Sequence, residues 1–139
     1  MGGRGMSAYK TFRGIVFKKR LEHGMINLGV DTKNQLKHQN TPQWKNQVKQ
    51  AVEALKNGAK GAPKSRLSKS VDPQKLINDY AGKGFLRYRK KQRFPEEFVR
   101  LPFEVGRTFD KQAGKYIVSH TIQIKYSANG PHVFPTKDW

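Results

Sequence analysis

The C-terminal segment, residues 115–139, constrains the fold most, because it has the pattern of a β-hairpin. Apolar and polar side chains alternate along residues 118–126, as in a strand with one buried and one polar face. Asn129-Gly130 follows, the dipeptide that best tolerates the positive φ angles of a two-residue type I′ turn. Such a turn would place Tyr126 opposite Val133 and Lys125 opposite Phe134.

This hairpin predicts a core face and a polar face. The core-facing residues are Ile122, Ile124, Tyr126 and Val133. The polar residues on the other face are Thr121, Gln123, Lys125, Ser127 and His132. A slip of register by one residue would exchange the two faces. A polar face of this composition fits a solvated strand surface and a functional site about equally.

Two helices are predicted before the hairpin. Thr41 is a good N-cap and Pro42 suits the first helical position, with an apolar stripe behind them that predicts a core-facing helix. Asn57-Gly58 would end that helix, and Asp72-Pro73 begins a second one in the same way. In residues 9–30, three glycines argue against a long helix and favour short strands.

The order of these elements predicts the fold class. Helices followed by antiparallel strands indicate an α+β fold, with N-terminal helices packed on a small antiparallel sheet that ends in the C-terminal hairpin. At 139 residues the chain is the size of one domain.

The charge of the chain points to a polyanionic partner. Lys and Arg number 28 against 10 Asp and Glu, a net charge of +18. Nucleic acid is the first candidate and an anionic membrane surface a distant second. No apolar run approaches the length of a membrane span, and no signal-peptide core follows Met1, so no membrane anchor is expected. Cysteine is absent, which excludes disulfides and thiolate chemistry.

Residues 85–93, FLRYRKKQR, interleave aromatic rings with cations. Cations can neutralise phosphates while rings stack on unpaired bases. We therefore expect Arg87, Arg89, Lys90 and Lys91 to hold RNA, although an exposed basic strand is the alternative.

The four histidines do not have the spacing of a helical zinc motif, and no carboxylate cluster accompanies them, so neither a metal nor a cofactor is predicted. RNA carries its own nucleophile, the 2′-hydroxyl. Its cleavage needs a base, an acid and cations near the phosphate. His132 on the polar face and His38 beside Lys37 could supply the proton transfers. From the residues alone, a ribonuclease and a plain RNA-binding module remain nearly equal.

Four motifs in order carry a resemblance to a known family. QLKHQNTPQW, PKSRL, DPQKLINDYAGKG and YSANGPHVFPT are similar to the polymorphic toxin type 50 domain, over roughly Lys33 to Thr136. The resemblance implies a metal-independent ribonuclease toxin of the barnase–EndoU–colicin–RelE type, in which helices precede an antiparallel sheet. It implies residues 33–139 as the ribonuclease domain, behind a partly disordered extension at residues 1–32.

Site residues follow from this resemblance together with the hairpin. His38 and His132 are the expected proton-transfer pair. Residues expected to stabilise charge, bind phosphate or orient the imidazoles are Lys37, Lys125, Arg107, Ser65, Thr121, Ser127 and Tyr126. The chain departs from the family pattern at Lys125, where a histidine is expected. If that histidine transfers the proton, this chain would be weakened or inactive, although a lysine can still bind phosphate.

The resemblance also implies a biological setting. An acidic immunity protein is the expected partner, and the toxin would act in the cytoplasm of a target or host cell after delivery by secretion or a phage. MGGRGM is similar to the starts of phage and mobile-element proteins. The rival interpretation is a non-catalytic nucleic-acid-binding or phage structural protein.

Overall fold

The computed structural model describes residues 6–7, 12–89 and 91–138. Its fold is α+β, as predicted. The helices are α1 (Phe12–Glu22), α2 (Thr32–Gln35), α3 (Pro42–Lys56) and α4 (Pro73–Tyr80), with a 3₁₀ helix at Leu36–His38. The strands are β1 (Met6–Ser7), β2 (Arg66–Leu67), β3 (Phe85–Arg87), β4 (Glu96–Arg100), β5 (Gly106–Asp110), β6 (Lys115–Ser119), β7 (Thr121–Lys125) and β8 (His132–Thr136). Within the described residues, no helix has the length and apolarity needed to cross a membrane.

The strands form two antiparallel sheets where one was predicted. The order in the larger sheet is β1-β3-β4-β7-β8, and in the smaller one β2-β5-β6. The long strand predicted through residue 120 is divided there, so that β6 and β7 belong to different sheets. Asp138 accepts a hydrogen bond from the His120 backbone N–H (2.9 Å), and the Ser119 hydroxyl donates to the Thr121 carbonyl (3.0 Å). These side chains form hydrogen bonds with backbone groups at the point where the strand-to-strand hydrogen bonding is interrupted.

The C-terminal hairpin has a longer loop than the predicted two-residue turn. Lys125 pairs with His132, two residues away from its predicted partner, and residues 126–131 form the loop. A type I′ turn needs a positive φ at both central residues. Of the Asn-Gly pair only Gly130 has one (108°), so the prediction of this turn is wrong. The loop instead docks on a neighbouring segment, because a Cβ at Gly130 would lie 1.9 Å from the Gly29 carbonyl oxygen. The two faces are nevertheless as predicted, since a shift of two residues preserves them.

The core lies against one face of the larger sheet. Its buried side chains come from α1, α4 and both sheets: Phe17, Leu67, Leu76, Ile77, Leu86, Val99, Leu101, Val105, Ile122, Ile124, Tyr126 and Val133. The carboxylate of Glu97 is buried beside this core. It accepts hydrogen bonds from the backbone N–H groups of Gly82 (3.0 Å) and Gly84 (2.7 Å). Three elements are thereby tied together, because the Tyr126 hydroxyl also donates to Glu97 (2.6 Å).

Helices α3 and α4 begin where predicted, and α3 also ends where predicted. Thr41 Oγ1 accepts from the Trp44 N–H (3.2 Å), and Asp72 caps α4 through the Gln74 N–H (3.1 Å). The prediction that the α3 stripe enters the core is wrong, because no residue of α3 is buried. The helix instead lies on the surface, where Trp44 contacts Tyr116 of the smaller sheet (ring centroids 5.9 Å apart).

The strands expected in residues 9–30 are also wrong in the described part of that range, which contains α1. Gly14 lies buried inside α1, and Gly24, with a φ of +69°, follows its end. The core contact of Phe17 with Tyr126 (centroids 4.9 Å apart) outweighs the helix cost of one glycine, about 1 kcal/mol. Within the extension at residues 1–32, which was expected to be partly disordered, Met6–Ser7 pairs with β3. Residues 1–5 lie outside the described part of the chain.

Candidate active site

Three aromatic rings from distant parts of the sequence lie together on the polar face of the larger sheet. His132 and Phe134 are alternate residues of β8 and share this face. His38 stacks on both, with ring centroids 5.8 Å from His132 and 4.4 Å from Phe134, each at an interplanar angle of 15°. The structure therefore brings together the two imidazoles that the sequence singled out.

The side-chain amide of Gln35 holds the 3₁₀ helix against β8. Its Nε2 donates to the Val133 carbonyl (2.7 Å), and its Oε1 accepts from the Val133 N–H (2.8 Å). The amide thus pairs with the strand as a neighbouring backbone would, and it covers an edge of the sheet. Because Val133 lies between His132 and Phe134, this pairing fixes the position of His38 over both rings.

Ser65 orients the His38 imidazole. Nδ1 of His38 lies 3.0 Å from the Ser65 carbonyl oxygen and 3.3 Å from the Ser65 hydroxyl. A carbonyl can only accept, so Nδ1 carries the proton and Nε2 has a free lone pair. The side chain is buried, and this burial lowers the pKa of His38 to about 3. His38 is consequently a neutral, oriented imidazole at neutral pH.

His132 is half-buried and lies in a positive environment. Burial, and then the ammonium group of Lys125, lower the pKa of His132 to about 4, while the carboxylate of Asp31 acts in the opposite direction. Lys125 is directly opposite His132 in the β7–β8 register. Lys125, where the family resemblance implies a histidine, therefore lies beside His132 and places a positive charge there.

Two more lysines complete this positive environment. Lys37 precedes His38 and Lys64 precedes Ser65, and both ammonium groups lower the pKa of each imidazole. Lys37 is steadied by donation to the Asn34 side chain (3.1 Å). Three lysines around two neutral imidazoles make a site that favours an anion.

Thr121 lies away from the imidazoles, and Arg107 belongs to the smaller sheet. Thr121 is buried, donates to Asp138 (2.7 Å), and lies four residues from Lys125 along β7, or about 13 Å at the usual rise of a strand. Arg107 is an exposed residue of the smaller sheet, where it pairs with Arg66. The position of Thr121 does not support its expected role, whereas the role of Arg107 stays a prediction.

Tyr126 and Ser127 also lie outside the ring cluster. Tyr126 is in the core and donates to Glu97, so it cannot meet a substrate on the opposite face. Ser127 lies in the hairpin loop, where its hydroxyl donates to the Gly130 carbonyl (2.7 Å). Both were expected on the hairpin strands beside the site, but the longer loop removes Ser127 from the strand.

The basic segment at residues 85–93 is partly neutralised within the protein. Arg87 and Arg89 form ion pairs with Glu96 at 3.2 and 2.8 Å. Lys91 is exposed with a φ of 69°, and Lys90 lies outside the described residues. Contact of this segment with RNA stays a prediction, with two of its cations already paired.

Sequence reasoning missed four residues that shape the site: Gln35, Lys64, Glu96 and Phe134. The period of two in β8 could have revealed Phe134, because it shares a face with His132. The buried carboxylate of Glu96 stands in register with Lys125 on the same face, and Gln123 donates to it. Gln35 is the first residue of the QLKHQNTPQW motif, but its role could not be inferred locally, since its partner is backbone in a distant strand.

The described residues contain no group of three His, Asp or Glu side chains that could hold a metal ion.

One family model matches most of this chain. The model of bacterial toxin 50 covers residues 30–135. That range contains both imidazoles, Ser65, Gln35 and all three lysines of the site. A search of the curated proteins found no match.

Proposed function

Since the chain belongs to the bacterial toxin 50 family, we propose that it is a ribonuclease toxin that cleaves RNA without a metal ion. The reaction is attack of a ribose 2′-hydroxyl on the adjacent phosphate. The observation that carries the proposal is the stacked pair of His38 and His132, with ring centroids 5.8 Å apart, among three lysines.

His38 is the better candidate for the general base. Its hydrogen bond to the Ser65 carbonyl leaves Nε2 unprotonated, and its low pKa keeps it so at neutral pH. Nε2 takes the proton of the 2′-hydroxyl as the 2′-oxygen bonds to phosphorus.

His132 then acts as the general acid. It gives a proton to the 5′-oxygen as the bond between phosphorus and that oxygen breaks, which leaves a 2′,3′-cyclic phosphate and a free 5′-hydroxyl. In the free protein this imidazole is neutral at pH 7, because its pKa is about 4. A bound phosphate raises the pKa by placing a negative charge beside the ring. Substrate binding therefore increases the protonated fraction of His132, the form that the acid step uses.

Lys37, Lys64 and Lys125 stabilise the charge of the phosphorane. Preorganised cations in a partly dry site are worth more than the same cations in water. Lys125 directly adjoins His132 and serves the phosphate nearest the acid.

The net charge of +18 also supports an acidic inhibitor as partner. A negatively charged protein surface laid over the lysines would block the phosphate site and be drawn to it rapidly. Such a protein should relieve toxicity on co-expression and abolish cleavage when the two purified proteins are mixed.

The test compares four purified proteins on total RNA in excess EDTA: the parent chain, His38→Ala, His132→Ala and His23→Ala. His23 is an exposed histidine after α1 and serves as the matched control. The parent and His23→Ala should give fragments with 2′,3′-cyclic ends. Each site variant should lose about 100-fold to 10,000-fold in rate, the usual worth of one proton-transfer group.

Circular dichroism must show all four proteins to be folded. Equal cleavage by all four would rule out this site. If the folded parent protein binds RNA but leaves it intact, the result would favour the alternative interpretation, a non-catalytic nucleic-acid-binding module.

A further inference from the structure

A second surface that combines cations with aromatic rings lies on one face of the smaller sheet. Arg66 and Arg107 are directly opposite each other in the β2–β5 register, so their side chains share this face. Phe109 and Tyr116 are directly paired as well, and their rings meet edge to face with centroids 5.4 Å apart. Because Phe109 lies two residues after Arg107 in β5, the four side chains are on the same face. Together with Trp44, which packs on Tyr116, they form what we call the arginine–ring face.

The two arginines of this face carry charges that the described carboxylates leave uncompensated. Within the described residues, neither guanidinium forms an ion pair with an Asp or Glu side chain. Like charges directly opposite each other on two strands are destabilising. By contrast, Arg87 and Arg89 in the basic segment at residues 85–93 are both paired with Glu96. The opposed arginines therefore fit a site that an external anion completes.

The aromatic rings of this face leave part of their surface open to solvent. Trp44, Phe109 and Tyr116 are each half-buried. The guanidinium of Arg66 lies over the Trp44 ring, 5.2 Å from its centroid, so a cation and a ring are already side by side. Proteins that bind single-stranded nucleic acid combine such rings with cations, because bases stack on the rings while the cations neutralise phosphates. The composition of the face therefore fits a single strand of nucleic acid.

The arginine–ring face is joined to the proposed active site through the segment that contains Lys64. Trp44 Nε1 (3.1 Å) and the Tyr116 hydroxyl (2.9 Å) both donate to the Lys64 carbonyl oxygen. The ammonium group of Lys64 lowers the pKa of both imidazoles of the site. The next residue, Ser65, meets the His38 ring through its carbonyl oxygen (3.0 Å). A strand whose phosphate lies at the imidazoles can therefore reach the rings of the face past Lys64.

We propose that the arginine–ring face binds the single-stranded RNA that flanks the cut site. Its two arginines neutralise backbone phosphates, and the open ring surface stacks on an unpaired base, so this binding tolerates any base sequence. The choice of RNA rests on the proposed ribonuclease function, but binding to the face can be measured without cleavage.

The experiment measures the binding of a single-stranded 2′-O-methyl RNA of about 12 nucleotides, a length that one single-strand-binding fold can cover. The methyl group blocks the 2′-hydroxyl, so this RNA can bind but cannot be cut. Fluorescence anisotropy gives the Kd at several salt concentrations for the parent, for Arg66→Gln/Arg107→Gln and for Lys19→Gln/Lys83→Gln. The last protein is the matched control, because it loses two exposed positive charges outside the face.

The arginines should contribute through phosphate contacts. Arg66→Gln/Arg107→Gln should weaken binding about tenfold or more at about 0.1 M salt, and should reduce the slope of log K against log salt by about 1.4, since each contact with a single-strand phosphate is worth about 0.7. The control should keep the slope of the parent. Arg107→Gln alone, which leaves the contact of Arg66 with Trp44, should show about half of the change in slope. An unchanged slope in the double variant, shown by circular dichroism to be folded, would overturn the proposal.

The rings should contribute through stacking. Phe109→Leu keeps an apolar side chain but removes the ring, and should weaken binding about fivefold or more, the worth of one stacked base. Its salt dependence should equal that of the parent, because no phosphate contact is lost. Phe109→Trp should retain the affinity of the parent. Parent-like affinity in Phe109→Leu would contradict stacking on this face.

Cleavage gives the second readout and separates the two proposals. The same RNA with free 2′-hydroxyls should have a higher kcat/KM than a dinucleotide, which is too short to reach both arginines from the imidazoles. This advantage should fall by about tenfold in Arg66→Gln/Arg107→Gln. Weaker binding of the blocked RNA by the face variants, with no cleavage by any protein, would support the face while the ribonuclease proposal fails. Cleavage in which the double variant keeps the full advantage of the long RNA would overturn the face while the ribonuclease proposal stands.

Discussion

Acid should destabilise the folded protein through His38, and removal of this imidazole should remove that effect. In the unfolded chain the pKa of a histidine is about 6.5. Burial in the folded protein lowers the pKa of His38 to about 3. Between these two values the unfolded chain binds a proton that the folded protein refuses, so the free energy of unfolding rises with pH across this window and is lost as pH falls.

The size of the effect follows from the same two values. One such group contributes about 1.4 kcal/mol per pH unit. From about pH 6 to about pH 4, His38 alone should therefore lower the free energy of unfolding by about 2–3 kcal/mol. That is a large fraction of the stability of an ordinary domain. His132 acts in the same direction but is half-exposed, so its share is smaller.

The assay is urea unfolding of the parent, His38→Asn and His23→Asn at several pH values between about 7 and about 4. The asparagine amide can still donate to the Ser65 carbonyl that His38 Nδ1 now meets. His38→Asn will be less stable at neutral pH, but its free energy of unfolding should fall less steeply with acid, by about 1.4 kcal/mol per pH unit. His23→Asn should keep the steep dependence. Carboxylates titrate alike in all three proteins, so parallel curves for the parent and His38→Asn would refute a buried, neutral His38.

Three further predictions concern the hairpin and the reaction. Gln35→Met should lower the free energy of unfolding by about 2–5 kcal/mol in urea titrations, because the N–H and C=O of Val133 lose their partner. Stability equal to that of the parent would contradict the pairing of Gln35 with Val133. Gly130→Ala should cost about 1–3 kcal/mol from its positive φ alone, and more from the contact with the Gly29 carbonyl; an unchanged melting temperature would show that the loop docks differently. If His132 is the acid, kcat/KM should fall about tenfold per pH unit above about pH 4, since kcat/KM reports the free protein; a flat profile through this range would exclude that role.

The sequence was sufficient for the features that depend on local pattern. The caps at Thr41 and Asp72 and the two faces of the C-terminal hairpin follow from capping chemistry and from the period of two, and both are observed. The sequence also predicted that His38 and His132 belong together. That prediction rested on the family motifs, because local sequence patterns do not show which residues meet when they are so far apart in the chain.

Features that depend on tertiary contacts were not predictable in this way. Gly14 argues against a helix until the core position of Phe17 is known. Asn129-Gly130 predicts a tight turn until Gly29 is found against Gly130. The hydroxyl of Ser127 was assigned to the site from the composition of a face, but composition does not say where a strand ends.

The register of the hairpin is fixed by residues of the site more than by the core. A shift by one residue would bury His132 and Lys125 and expose the core, so the apolar pattern forbids it. A shift by two residues would keep every core side chain on the correct face, yet it would place Lys125 opposite Phe134. The apolar pattern cannot distinguish these two registers. The features that distinguish them are the docking of Gly130 and the pairing of Gln35 with the backbone of β8. Both contacts come from residues 29–38, the segment that ends at His38. The segment that brings His38 to His132 therefore also selects the register that places Lys125 beside His132.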